Sequence, residues 1–233
     1  MGSTFESTVV SLPRIDKMMP RRLDSAFFGM GHFFDSEPQF GIMKGVWKTV
    51  VGYSGGRYKT PSYEDLGDHV EVVMVEYDPL TLSYGQLLDI FLNGCSYRGE
   101  TSLPQNSSVQ NFLCAFVKNE FERRLAQAAI ARYELRTDIE NSIKVAAHKT
   151  FYKAEPWCQK HFLRMRPPLM EELNRVYPDE DCLIQSTLAT RLNGILGLRS
   201  LQETSAFCVP DDFEFYDLSG CATDILKQIL NAG

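Results

Sequence analysis

The stretch AFFGMGHFFDSE, residues 26–37, is the part of the chain around which the fold is organised. The apolar residues 26–28 predict a strand. The Gly-Met-Gly sequence at 29–31 predicts the tight turn that follows, because glycine adopts positive φ at little cost. A strand, a turn and a helix in succession leave the residue after the turn at an exposed edge, where it can reach a ligand. That residue is His32, which we interpret either as a site residue or as a hydrogen-bonded structural residue in a turn that leads into a core helix.

Composition and charge exclude several classes of protein. The chain has 233 residues, of which 44% are hydrophobic, and this is enough to build a core with an extension. Its net charge of −6 is spread along the sequence, so no nucleic-acid partner is expected. The longest apolar runs, such as residues 70–75, are too short to span a membrane. Residues 1–22 do not resemble a secretory signal, which favours a cytoplasmic protein.

The six cysteines indicate the same compartment. They are scattered along the chain without CxxC spacing, and their positions do not predict the disulfide framework of a small scaffold. In a chain that is not secreted, the expectation is reduced thiols, several of them buried.

Periodicity predicts an α+β fold. Further strands are expected at residues 46–53, 69–77, 111–117 and 142–147, and helices at 84–92, 120–135, 151–163, 169–176, 183–196 and 223–230. A long loop is expected at 93–109. The order of these elements implies a two-layer sandwich in which helices lie against a mixed sheet with a ferredoxin-like βαββαβ core. We divide the chain into a mobile arm (1–22), a domain (23–166) and a helical C-terminal extension (167–233).

Six ordered motifs carry a resemblance to a known family. They are GMGHFFDSE at 29–37, VGYSGG at 51–56, SYED at 62–65, GDHVEVVMVEYDP at 67–79, LSYGQLLDIF at 82–91 and FYKAEPWCQKHFL at 151–163. Together they resemble the peptide methionine sulfoxide reductase A family over residues 23–163. The extension after residue 167 looks like that of a divergent branch of the family.

The resemblance implies roles for several residues. Glu71 corresponds to the acid that protonates the sulfoxide oxygen, and Tyr53 to the pocket tyrosine. Phe33 and Phe34 correspond to the aromatic pair that contacts the methyl group. His32 falls where the family has its nucleophilic cysteine.

Other positions depart from the family pattern. Asn106 and Asn111 fall on a later aspartate and tyrosine of the family, and Trp157 and Cys158 fall on a late Tyr-His pair. We expect these four residues to contact the substrate.

The histidine suggests a change of chemistry. Sulfoxide reduction needs a thiolate and proceeds through a sulfenic acid, and an imidazole provides neither. We therefore interpret the protein as a repurposed non-redox enzyme of the lyase, isomerase or cyclase type, acting on a small apolar or cation-forming molecule. In this interpretation His32 and Glu71 exchange protons, while Tyr53 and Asn106 hold a substrate oxygen.

Three alternatives stay open. The protein could be a catalytically silent module that keeps a methionine or methyl-sulfoxide pocket. It could retain reductase activity if Cys95 or Cys158, which border the expected site, brought a sulfur to nearly the same point. A metal bound by His32, His69, Glu71 and Cys158 is the third alternative. The competing interpretation of His69 is that it simply hydrogen-bonds its neighbours. We predict no metal and no cofactor, and the sequence leaves the oligomeric state undetermined.

Overall fold

The residues that the structure describes form a mixed six-stranded sheet. The computed structural model describes residues 11–99, 113–137, 143–200 and 213–231. The strands are β1 (Asp24–Met30), β2 (Val46–Ser54), β3 (Val70–Tyr77), β4 (Leu113–Val117), β5 (Ile143–Ala147) and β6 (Phe151–Lys153). Their order across the sheet is β5-β4-β1-β3-β2-β6. Neighbours are antiparallel except for the parallel pair β4 and β5. The central order β4-β1-β3-β2 is the predicted ferredoxin-like core.

Helices pack mainly on one face of this sheet. In chain order they are α1 (Arg14–Lys17), α2 (Phe33–Gly41), α3 (Tyr84–Gly99), α4 (Glu120–Thr137), α5 (His161–Arg164), α6 (Pro167–Val176), α7 (Glu180–Ile184), α8 (Thr187–Ser200) and α9 (Gly220–Asn231). Helices α2, α3 and α4 share a core with the sheet in which Phe28, Phe40, Leu87 and Ala126 are buried. The α+β architecture predicted from the sequence is confirmed.

Strand β3 shows how buried side chains are distributed between the two faces of the sheet. Alternate side chains of a strand point to opposite faces. Val73 and Val75 therefore join the helix-side core, whereas Val70 and Val72 join a smaller apolar cluster on the other face. Because both faces are buried, the strand is apolar almost throughout. Its exception on the helix side is Glu71, which is also buried.

The segment 151–163, predicted as one helix, is instead a strand, a turn and a short helix. Residues of β6 pair with the edge of β2. A single 3-10 turn follows at Pro156–Cys158. Lys160 then adopts a left-handed conformation with φ of 56°, and α5 begins at His161. The helical prediction was wrong because the apolar residues of this segment lie in an edge strand and a turn. The spacing of apolar residues alone does not distinguish this arrangement from a helix.

Two other boundaries differ from prediction. Helix α3 continues to Gly99, so the loop expected from residue 93 begins later. The single helix expected at 183–196 is divided into α7 and α8. The division has a local cause, since the Ser186 hydroxyl accepts the Ala189 N–H and so caps α8.

The C-terminal helices build a second apolar core against α2. Leu163, Leu173, Leu188 and Leu192 are buried in it. Ile15 of α1 is buried in the same cluster, so the described part of the predicted mobile arm packs on the extension. Among the residues that the structure describes, no helix combines the length and apolar character needed to cross a bilayer.

Candidate functional site

The entry into α2 forms the centre of the candidate site. The strand predicted at residues 26–28 is longer at both ends, since β1 runs from Asp24 to Met30, and Gly31 then turns the chain with φ of 77°. This positive φ is the reason that glycine is required there. His32 is the N-terminal flanking residue of α2 and has a non-helical backbone, with φ of −59° and ψ of 121°. Its side chain is 48% exposed, so the turn presents the histidine at the protein surface, as the sequence predicts.

Glu71 lies directly beneath this turn. One carboxylate oxygen, Oε2, accepts the backbone N–H of Phe33 at 2.8 Å, in the first turn of α2. The other, Oε1, is 3.3 Å from His32 Nδ1. The structure therefore brings the predicted pair His32 and Glu71 into contact, with the carboxylate buried and the imidazole half exposed.

Tyr53 lies beside Glu71 but its hydroxyl is already bound. The two residues are register partners on β2 and β3, so their side chains emerge on the same face. The Tyr53 hydroxyl donates to Glu155 Oε2 at 2.8 Å. Burial, followed by this hydrogen bond to Glu155, raises the pKa of Tyr53 far above its ordinary value. Tyr53 is therefore a neutral phenol whose proton is directed to Glu155.

Glu155 is a site residue that the sequence analysis missed. Its Oε1 accepts the Tyr63 N–H at 3.0 Å, and its Oε2 is 3.8 Å from Cys158 Sγ. Burial acts to raise the pKa of Glu155, but the hydrogen bonds, led by that from the Tyr63 N–H, outweigh it and lower the pKa. The sequence signal that could have found it is its position in the FYKAEPWC motif, which also contains the predicted site residues Trp157 and Cys158.

Cys158 is a buried thiol at the same place. It is fully buried and belongs to the core cluster that contains Phe33 and Tyr53. Burial and the negative charge of Glu155 raise the pKa of Cys158 to about 12. The thiol is therefore protonated at neutral pH.

Aromatic side chains form the rest of the site. Phe33 is buried and meets Phe34 edge to face at 4.9 Å between ring centroids. Tyr63 lies between Phe34 and Trp157, at 5.7 and 4.8 Å. Trp157 is 52% exposed, so it belongs to the rim. His161 stacks on Phe34 at 4.2 Å; neither it nor Tyr63 was among the predicted site residues.

The remaining predicted residues divide into two groups. Asn106 and Asn111 lie outside the described residues, so their expected contact with a substrate stays a prediction. His69, considered as a metal ligand, uses both ring nitrogens on the backbone: Nδ1 accepts the Gly56 N–H at 3.2 Å and Nε2 is 2.8 Å from the Tyr58 carbonyl oxygen. Among the residues described, no group of three or more His, Cys, Asp or Glu side chains is arranged to hold a metal ion.

Comparison with solved structures identifies the fold. The reduced form of Mxr1 from Saccharomyces cerevisiae aligns over 64% of this chain and 88% of its own, with a TM-score of 0.53 and 19% identity. Methionine sulfoxide reductase A of Corynebacterium diphtheriae aligns over 64% of this chain and 77% of its own, with a TM-score of 0.51 and 18% identity. At these identities the similarity establishes the fold alone.

Sequence comparison extends the similarity to the family. The sequence model of the peptide methionine sulfoxide reductase family matches residues 24–187. Peptide methionine sulfoxide reductase A5 of Arabidopsis thaliana is 38% identical over 83% of this chain and 74% of its own length. The peptide methionine sulfoxide reductase of Drosophila melanogaster is 33% identical over 78% of this chain and 72% of its own.

These relatives correct the interpretation of the chain as a repurposed lyase, isomerase or cyclase. That interpretation was wrong: the family match and the names of the relatives indicate methionine sulfoxide reductase function. It rested on one residue, His32, and gave too little weight to the rest of the pocket. The chain belongs to the peptide methionine sulfoxide reductase family.

Proposed function

We propose that the protein binds the oxidised side chain of methionine sulfoxide, free or within a peptide, and reduces it to methionine. The observation that carries this proposal is the placement of Glu71. Its carboxylate is buried at the N-terminus of α2, between His32 and the aromatic residues Phe33 and Tyr53. A methyl sulfoxide has an apolar methyl group and a polar oxygen, and this pocket offers a counterpart for each.

The aromatic residues would receive the methyl group. Phe33, Phe34 and Tyr63 form a connected set of rings with centroids between 4.9 and 6.2 Å apart. These rings would bury the apolar methyl group of the substrate but would leave its polar oxygen without a hydrogen-bond partner. The oxygen of the sulfoxide would therefore turn toward Glu71, which can donate a proton to it as the sulfur–oxygen bond breaks.

The test is reduction of a methionine sulfoxide peptide in the presence of a dithiol, followed by chromatography. We expect the protein to form methionine, and Glu71→Gln to lower the rate by about 100-fold or more because the general acid is lost. Glu76→Gln is the matched control. It lies on the same strand, where the side chain pairs with Lys48 at 3.7 Å, and should leave the rate unchanged. An unaltered rate in Glu71→Gln would remove the carboxylate from the mechanism.

A second candidate is recognition of methionine sulfoxide without reduction. It is favoured by the histidine at the head of α2, since the resemblance puts His32 at the position of the family's cysteine and an imidazole does not form a sulfenic acid. A thermal shift with N-acetyl-methionine sulfoxide, without methionine formation, would favour this candidate.

We also propose a cytosolic location for the protein. Of the cysteines whose side chains the structure describes, Cys114, Cys158, Cys182 and Cys221 are free thiols, which supports a reducing compartment. Fractionation of cells that express the tagged protein tests this location.

A further inference from the structure

We infer that Cys158 supplies the sulfur that attacks the sulfoxide, an inference that rests on the proposed function. A reductase of this kind needs a thiol within the pocket. Of the cysteines whose side chains the structure describes, Cys114 lies on the opposite face of the sheet. Cys182 and Cys221 are exposed on the C-terminal helices. Cys158 is the remaining one, and it lies in the apolar cluster of the pocket.

The surroundings of Cys158 connect it to the rest of the site. Its Sγ is 3.8 Å from Glu155 Oε2, which also accepts the Tyr53 hydroxyl. Tyr53 is the register partner of Glu71. The thiol, the phenol and the Glu155 carboxylate are thus joined by direct contacts, and Glu71 lies beside Tyr53 on the neighbouring strand.

An independent observation indicates that a ligand completes this group. Within the described part of the chain, Glu71 Oε1 is a buried atom without a hydrogen-bond partner. His32 Nδ1 lies 3.3 Å from it. Buried polar atoms are normally hydrogen-bonded, so this carboxyl group, in its protonated form, is suited to donate a hydrogen bond to a ligand, here to the sulfoxide oxygen.

The chemical step balances with groups already present. The sulfur of Cys158 forms a bond to the sulfoxide sulfur as the thiol proton passes to the Glu155 carboxylate, and Glu71, in its protonated form, gives its proton to the sulfoxide oxygen. The substrate sulfur gains two electrons and becomes a thioether. As the hydroxyl passes to the Cys158 sulfur, the substrate sulfur–oxygen bond and the sulfur–sulfur bond break, and Cys158, having lost two electrons, becomes a sulfenic acid. The proton now on Glu155 balances the one that Glu71 gave. A dithiol then returns it to the thiol and releases water and a disulfide.

The raised pKa of Cys158 sets an expectation for the rate. Because burial and the negative charge of Glu155 raise the pKa of Cys158, the thiol is protonated at neutral pH and must lose its proton as it attacks. Glu155, whose pKa lies below its ordinary value, is the adjacent carboxylate that can take the proton as the sulfur attacks. We therefore expect slow turnover compared with an enzyme that uses a preformed thiolate.

A single-turnover experiment tests the assignment. The reduced protein is mixed, without added reductant, with an excess of N-acetyl-methionine sulfoxide, and dimedone is added to trap sulfenic acid. We expect up to about one equivalent of N-acetyl-methionine, because each thiol can take one oxygen. Peptide mapping should locate the dimedone adduct on Cys158. This measurement uses the unaltered protein and so does not depend on the folding of any variant.

Variants supply the second arm. Cys158→Ser should lower the methionine formed by about 100-fold or more, as expected for loss of a nucleophile, while the ligand still raises its melting temperature. Cys182→Ser, the same change at an exposed thiol, should have no effect. Unchanged reduction by Cys158→Ser, or an adduct on another residue, would overturn the assignment and leave the proposed function standing. A melting shift without reduction by the unaltered protein would instead overturn the proposed reduction itself.

Discussion

The hydroxyl of Tyr53 is the residue-scale feature that most constrains the pocket. It donates to Glu155 Oε2 at 2.8 Å, so Glu155 stands between the tyrosine and Cys158. This arrangement differs from the expectation that Tyr53 holds a substrate oxygen directly. Tyr53→Phe removes the donor and leaves the Glu155 carboxylate with one bond fewer. We expect a loss of roughly 1–3 kcal/mol in the free energy of unfolding, as for a hydrogen bond to a charged group. Urea titration measures it.

The pH dependence of this variant has a definite sign. The folded protein lowers the pKa of Glu155 below its ordinary value of 4.5. Ionised Glu155 therefore adds stability above about pH 4.5, and this contribution is lost as the pH falls through the lower folded value. Because Tyr53 supplies one of the lowering bonds, the gap between the variant and the unaltered protein should narrow on acidification. Tyr58→Phe, at an exposed ring, is the control; a gap that widens in acid would contradict the assignment.

At the scale of elements, a buried ion pair joins three segments that carry site residues. Lys160 Nζ lies 2.6 Å from Glu37 Oε1, and both side chains are almost without exposure. Lys160 Nζ also donates to the Thr49 hydroxyl at 3.0 Å, and Asn193 donates to Glu37 Oε2 at 3.1 Å. The pair thereby joins α2, β2 and the start of α5, and it reaches α8 in the extension.

Removing one partner of this pair should be strongly destabilising. Lys160→Met keeps the length of the side chain but leaves Glu37 buried without its counter-charge, and we expect a loss of about 3–5 kcal/mol in unfolding free energy. Lys153→Met is the matched control, because Lys153 pairs with Asp181 at the surface and such pairs contribute below about 1 kcal/mol. Chemical denaturation of both variants gives the comparison. Equal losses would mean that the buried pair does not hold these elements together.

At the scale of the whole molecule, the extension is packed against the helix that begins at the site. Arg191 of α8 donates to the carbonyl oxygens of Gly41, Met43 and Val46, which satisfies the C-terminal end of α2. The helices approach closely at Gly194, where an added Cβ would lie 2.7 Å from Ile42 N and 2.9 Å from the Gly41 carbonyl carbon. Backbone atoms cannot yield as a side chain would.

Gly194→Ala should therefore separate the two helices. We expect a loss of about 1–3 kcal/mol, typical of overpacking, which exceeds the gain of roughly 1 kcal/mol from helix propensity. Gly220→Ala in α9, where an added Cβ meets nothing within 4 Å, should be neutral or slightly stabilising. Thermal unfolding would register a drop of about 2–4 °C per kcal/mol in a chain of this size. An unchanged melting temperature in Gly194→Ala would show that α8 is not held against α2 at this point.

Local sequence was enough to predict the framework of the fold and part of the site. Strand β3 is an apolar β-branched run, and its alternation places Glu71 on the helix side. Gly31 marks the turn that presents His32, because few other residues adopt its backbone conformation. The ordered motifs were enough to predict the family. The strand and the turn depend on residues that are close together in the chain, so their spacing in the sequence predicts them.

Other features depend on residues far apart in the chain, and only the tertiary structure decided them. Glu155 joins Tyr53, Tyr63 and Cys158 through bonds that span up to 102 positions. The segment after Lys149 becomes a strand because the edge of β2 is open to pair with it, overriding its helical pattern. Lys160 is buried because Glu37, 123 positions away, neutralises it. In each case the free energy that decides the structure comes from contact with a distant partner. The sequence of the segment alone therefore could not predict the outcome.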